Sequence, residues 1–190
     1  MTAPDATPLD PSGLPDPGRP RFCARCGAPM EEREQGGRRR PVCPRCGWVY
    51  YAKNALGAAV LIERDDRVLL VQRAHEPYQG WWMLPAGFVE YGEEAAACAV
   101  REAEEECALT VRLEGQFGVY FGQDDPRNPS YLIVYLARPE PPSATPRAGD
   151  DAAAVDWFPR GGLPAHIAFE GHRAALADWS RTQAGRAPRS

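Results

Sequence analysis

The chain has 190 residues, 44% of them hydrophobic, and its 22 Lys and Arg stand against 26 Asp and Glu for a formal net charge of −4. That length suits one medium domain plus a small module, and the acidic balance excludes the broad basic excess that gathers nucleic-acid phosphates. No apolar run is long enough to span a bilayer and no signal peptide opens the chain, so a cytoplasmic protein without membrane contact is expected.

Residues 1–20 are rich in Pro, Asp and Gly and hold almost nothing to bury, which predicts a disordered tail. The next segment, 21–52, carries Cys23-Ala-Arg-Cys26-Gly and Cys43-Pro-Arg-Cys46-Gly, with the turn-prone pair Gly36-Gly37 between them. Four thiolates at this spacing close a tetrahedral shell and leave no position for a substrate, so a structural Zn²⁺ ribbon is expected. A reducing cytosol favours metal over disulfide for such cysteines. Arg25, Arg33, Arg38, Arg39, Arg40 and Arg45 cluster in the same segment. In an acidic chain they read as a solvated ribbon surface or a contact to the second domain, ahead of a nucleic-acid contact.

Tyr50 to Asn54 reads as a link into a second domain over 53–182. There Ala55–Glu63 and Val68–Arg73 are apolar runs split by Arg64-Asp65-Asp66-Arg67, a predicted hairpin, and Trp81–Leu84 is a third strand. Gly87 and Gly92 suit a tight strand-to-helix loop, and a helix is predicted over Glu93–Cys107. Cys98 and Cys107 lie on it without an assigned role, Cys98 as a core residue. Thr110–Tyr120, Tyr131–Ala137 and Val155–Phe158 read as further strands. Phe169, His172, Leu176 and Trp179 recur at helical spacing, and 183–190 reads as a flexible tail. Trp81, Trp82, Trp157 and Trp179 are expected in the core.

The helix carries the chemistry. Relative to Glu102, Glu105 and Glu106 fall at i+3 and i+4 and share roughly one third of the circumference, whereas Glu104 points away. No Lys follows at i+4 to relieve the repulsion. Hard carboxylate oxygens so grouped suit Mg²⁺ or Mn²⁺, which are usually shared with substrate phosphates.

Gly87, five residues, Glu93, seven residues, then Arg101-Glu102-Ala103-Glu104-Glu105-Glu106 resembles the Nudix box. The box ordinarily closes on Gly plus an aliphatic residue, whereas this chain has Ala108 before Leu109. The resemblance spans roughly residues 21–180 and implies an α/β/α sandwich on a mixed β-sheet, preceded by the zinc ribbon. It implies Glu102, Glu105 and Glu106 as Mg²⁺ or Mn²⁺ ligands with the Ala86 backbone carbonyl, and Glu93 and Arg101 as supporting catalytic residues. The implied reaction is hydrolysis of a nucleoside diphosphate linked to another moiety X. The general base stays open between Glu105, Glu106 and a loop carboxylate from Asp124, Asp125, Asp150 or Asp151. Relatives often carry Glu where Ala154 stands, so that role does not transfer.

Zinc-ribbon relatives include NADH diphosphatases and a group acting on ADP-ribose and FAD. The NADH group bears SQPWPFPxS after its box, and Gly118–Pro129 here has no such segment. The second group is similar through the box and the tail segment LPAHIAFEGHRAALADW, so ADP-ribose or FAD is the favoured substrate. NADH, nucleoside triphosphates and dinucleoside polyphosphates are the alternatives, as is a ligand-sensing regulator without catalysis, which the four box glutamates disfavour. Tyr120 and Phe121 are candidates to stack a substrate ring. Many relatives form homodimers, and a homodimer stays open here.

Overall fold

A computed structural model describes residues 19–124, 129–149 and 151–182. Most of both expected tails, with Asp125 and Asp150, lies outside the described residues. The chain divides into two compact units between Lys53 and Asn54.

In the first unit, β1 (Glu31–Glu34) pairs antiparallel with β2 (Arg39–Val42). Each Cys pair sits in a tight turn: Gly27 N–H donates to Cys23 O at 2.8 Å and Gly47 N–H to Cys43 O at 3.0 Å. The turns bring the four sulfurs together. Their ligand atoms lie within 4.8 Å of one another, so the cluster could hold a metal ion, as a zinc-ribbon module requires.

The second unit is built on a seven-stranded sheet with strand order β5-β4-β3-β8-β7, to which β6 adds on β3 and β9 on β4. The strands are β3 (Ala55–Arg64), β4 (Arg67–Arg73), β5 (Trp82–Met83), β6 (Ala86–Phe88), β7 (Val111–Gly122), β8 (Ser130–Pro139) and β9 (Ala152–Pro159). The sheet is mixed because β3 and β8 run parallel while the other pairings are antiparallel. Asp65 and Asp66 make the β3–β4 turn with φ of 51° and 59°, the left-handed pair whose twist matches that of a two-residue hairpin.

β3 explains the layering. Its run Gly57–Glu63 is buried on both faces, which is why it reads as nearly continuous apolar sequence. Ala58, Val60 and Ile62 face one core with Cys98, Ala99, Ala103 and Cys107 of α1 (Ala95–Cys107). Ala59 and Leu61 face the other with Ala175, Leu176 and Trp179 of α2 (Glu170–Arg181). One helix on each face makes the α/β/α sandwich. Glu63 is the exception on this strand: it is 1% exposed and paired with Arg160 at 2.6 Å and Arg138 at 3.1 Å, since a carboxylate so buried needs partners.

The expected loop around Gly87 is in fact the short strand β6, with Gly87 opposite Ala58. Three residues show no periodicity, so only the pairing with β3 reveals it. α1 starts at Ala95, two residues later than expected. Glu93 is held in the preceding turn instead, its N–H on Glu90 O at 3.0 Å and its carboxylate on Glu90 N–H at 2.9 Å.

Candidate active site

The carboxylates predicted to share a face of α1 lie beside β6. Glu102 meets Gly87 so closely that a Cβ there would stand 1.9 Å from Glu102 Oε1. Gly87 has no positive φ, so turn geometry does not call for glycine; a Cβ there would instead push the Glu102 carboxylate out of its present position. Glu106 Oε2 accepts the Ala86 N–H at 3.0 Å. Two consecutive residues of β6 thus seat two helix carboxylates.

Arg101 gathers the rest. Its Nη1 donates to Glu102 at 2.6 Å and Glu105 at 2.9 Å, its Nε to Glu93 at 2.9 Å, and its Nη2 to Phe88 O at 3.2 Å. The guanidinium beside it draws the Glu93 carboxyl down to about 2. Glu102 and Glu106 are each 8% exposed. Burial pushes the Glu102 carboxyl above the usual range, with Arg101 opposing, and pushes Glu106 up to about 8, with Ala86 N–H and the Arg73 charge opposing. Glu105 is the exposed member. The three are not drawn into one compact group: among the described residues the four cysteines form the one cluster of that tightness.

On the far side of β6, Phe88 and Ala86 face the α2 layer, where a cleft of about 130 Å³ opens. Gly57, Leu132, Tyr120, Arg73, Phe169 and His172 contribute to its lining. Gly57 keeps the floor open, because a Cβ would stand 3.3 Å from Gly87 O and 3.4 Å from Leu132. Tyr120 lines this cleft and ties its hydroxyl to Asp178 Oδ2 at 3.0 Å. Phe121 packs on Tyr131 with ring centroids 4.9 Å apart, in the row Leu56, Tyr131, Phe121 across the opposite face. Of the loop carboxylates, Asp124 is taken by Arg173 and by Tyr78 OH at 3.3 Å. Asp151 is exposed and 3.7 Å from His75, and its charge adds to the upward push on Glu106.

Sequence reasoning missed Arg73, Phe88 and Gly57, and placed His172 only in an apolar helical stripe. Strand neighbours bring the first three together, and no spacing along the chain encodes that. His172 did carry a signal, a polar residue at a core position.

The model of the NUDIX domain matches residues 53–179. The ADP-ribose pyrophosphatase of Methanocaldococcus jannaschii is 35% identical over 71% of this chain and 78% of its own length. The NAD-capped RNA hydrolase NudC of Chromobacterium violaceum is 32% identical over 76% of this chain, which spans 52% of that protein. The crystal structure of a NUDIX hydrolase from Nitrosomonas europaea superposes with a TM-score of 0.73 at 28% identity, covering 84% of this chain and 90% of that one. The chain belongs to the Nudix hydrolase family. Its box helix, mixed sheet and thiol cluster agree with the family and fold expected from the sequence, and no described helix is long and apolar enough to cross a membrane.

Proposed function

We propose that this protein hydrolyses the pyrophosphate of an ADP-linked compound, ADP-ribose or FAD, to AMP and a phosphorylated X. The observation that carries this reading is the seating of Glu102 and Glu106 against β6, with an aromatic-lined cleft across the same strand. Phosphates beside the carboxylates and a planar group in the cleft would use both sides of one three-residue strand.

The residues fit a divalent cation. They offer hard oxygens, two of them on carboxylates whose burial raises the cost of their charge. Glu102, Glu105 and Glu106, with the Ala86 carbonyl, would hold Mg²⁺ or Mn²⁺. The cation, when bound, screens pyrophosphate oxygens and activates water. Arg101 sets the orientation of Glu102 and Glu105, and Glu93 anchors Arg101 from the other side. Glu106 and Glu105 are the readings for the base; Asp124 is disfavoured by its pairing with Arg173. In the first unit, Cys23, Cys26, Cys43 and Cys46 would hold a structural Zn²⁺. Backbone hydrogen bonds from Ala28 to Cys26 and from Trp48 to Cys46 each favour the thiolate that zinc binds, whereas the shared thiol contacts lower Cys26 and raise Cys46.

A product screen tests the reading: ADP-ribose, FAD, NADH, diadenosine polyphosphates and nucleoside triphosphates, each with Mg²⁺ and Mn²⁺. Glu105→Gln is the blank and is expected to lose at least roughly 100-fold in turnover with an unchanged melting temperature, since Glu105 is exposed. AMP release from ADP-ribose or FAD supports the proposal. Near-normal turnover by Glu105→Gln removes that residue's role. The NudC relatives make an NAD-linked substrate the second reading, and preferential AMP release from NADH would select it.

A further inference from the structure

His172 sits in the first turns of α2 and is 5% exposed. Its Nδ1 accepts the backbone N–H of Leu84 at 3.2 Å. An imidazole nitrogen that accepts a hydrogen bond carries no proton, so in the neutral ring the proton resides on Nε2. Burial, with the Arg73 and Arg173 charges, holds the group down to about 3 against the opposing Asp124, so the ring is neutral. Nε2–H therefore has no partner among the described residues, although the ring lines the cleft beside Phe169, Arg73 and Leu132. Trp157 and Trp179 carry the fully buried unpartnered side-chain nitrogens among the described residues, and His172 is not among them. The ring is one of the groups that line the cleft.

We propose that His172 is a specificity residue whose Nε2–H donates to an acceptor on the heterocyclic base of the substrate. The inference rests on the ADP-linked reading above for the identity of that base. The cleft supplies the apolar and aromatic walls that a planar ring needs, in Phe88, Tyr120, Leu132 and Phe169. The phosphates are accounted for on the other side of β6. A fixed neutral donor discriminates sharply, because a ligand lacking the acceptor leaves a buried N–H unpaired. The Leu84 bond fixes the tautomer: a ring flip would abandon a backbone N–H.

Two variants separate recognition from structure. His172→Asn places an amide oxygen near the position of Nδ1 and keeps an acceptor for Leu84, but has nothing at Nε2. His172→Gln reaches the Nε2 position with an amide N–H and gives up the Leu84 bond. Binding of AMP and of ribose 5-phosphate, which lacks the base, is measured by calorimetry on the full chain, with melting temperatures alongside. The expected result is that His172→Asn weakens AMP roughly tenfold, the value of one hydrogen bond, and leaves ribose 5-phosphate and the melting temperature unchanged. His172→Gln is expected to recover most AMP affinity with a lowered melting temperature. Unchanged AMP affinity in His172→Asn, equal loss for both ligands, or no AMP binding by the wild type overturns the proposal. If the wild type binds AMP in this His172-dependent way yet hydrolyses no ADP-linked compound, the functional proposal fails and the recognition role stands.

Discussion

Glu106 is the residue where burial and chemistry meet most directly. Its carboxyl titrates near 4.5 when unfolded and is pushed up to about 8 in the fold, chiefly by desolvation. The folded state therefore binds this proton more tightly than the unfolded state. Stability is fully present below about pH 4.5 and falls as pH rises towards 8, the reverse of the usual carboxylate case. In protein free of added Mg²⁺, thermal melts are expected to show a loss on the order of 5 kcal/mol across that window. Glu106→Gln should flatten the slope, and Mg²⁺ should raise the melting temperature more at pH 8 than at pH 6. A slope that is identical in wild type and Glu106→Gln would assign the pH dependence to another group. Spacing along α1 told which glutamates share a face. It could not tell that one would be buried against β6 and another left exposed, because that depends on a strand of three residues with no pattern of its own.

At the scale of the element, α1 ends on a residue ill suited to its conformation. Ala108 has φ 51° and ψ 38°, and its N–H donates to Glu104 O at 2.9 Å while Leu109 N–H lies 3.3 Å from Ala103 O. The left-handed stop that the missing box glycine would have made forms regardless, at a cost of roughly 1–2 kcal/mol for an L-residue with a Cβ. Ala108→Gly relieves this strain but adds backbone freedom to the unfolded chain. The net expectation is about 1 kcal/mol of stabilisation, or a rise of roughly 2–4 °C in a chain of this size, checked by calorimetry; a fall would mean the turn is held by its flanking contacts alone. The long elements were legible from their pattern: β3 is a nearly continuous apolar run, α1 and α2 carry helical spacing, and Asp65-Asp66 carries turn chemistry. β9 begins at Ala152, earlier than expected, because Ala-Ala-Ala has no strand signal and pairs with β4 through its backbone.

The whole molecule consists of two units that gain stability by different means. The second has two apolar layers on one sheet. In the first, the buried apolar residues among those described are Pro41, Val42 and the thiols Cys23 and Cys43, too little to outweigh chain entropy without a metal. A chelator that strips Zn²⁺ is therefore expected to unfold the first unit at low temperature and leave the second to melt later, seen as two transitions by calorimetry. A single transition unaffected by chelation would deny the thiols their structural role. The paired C-x-x-C spacing made the first unit legible as a whole. The cleft of the second was not legible, since β3, β4, β6, β7, β8 and α2 each supply part of its wall.

The parallel pairing of β3 with β8 also governs when this protein can become itself. Ala55 is partnered by Ser130 and Ile62 by Ala137, so the most apolar strand waits for its neighbour until most of the intervening chain has been synthesised. A ribosome adding roughly 5–20 residues per second leaves β3 without that neighbour for several seconds. Closing so long a loop is slow compared with pairing adjacent strands. The hairpin with β4 can shelter one edge of β3 in the meantime. Chains truncated before β8 would keep the other edge open, exposing the Val-Leu-Ile run to other copies, so premature termination in this region should produce aggregates and not small folded fragments.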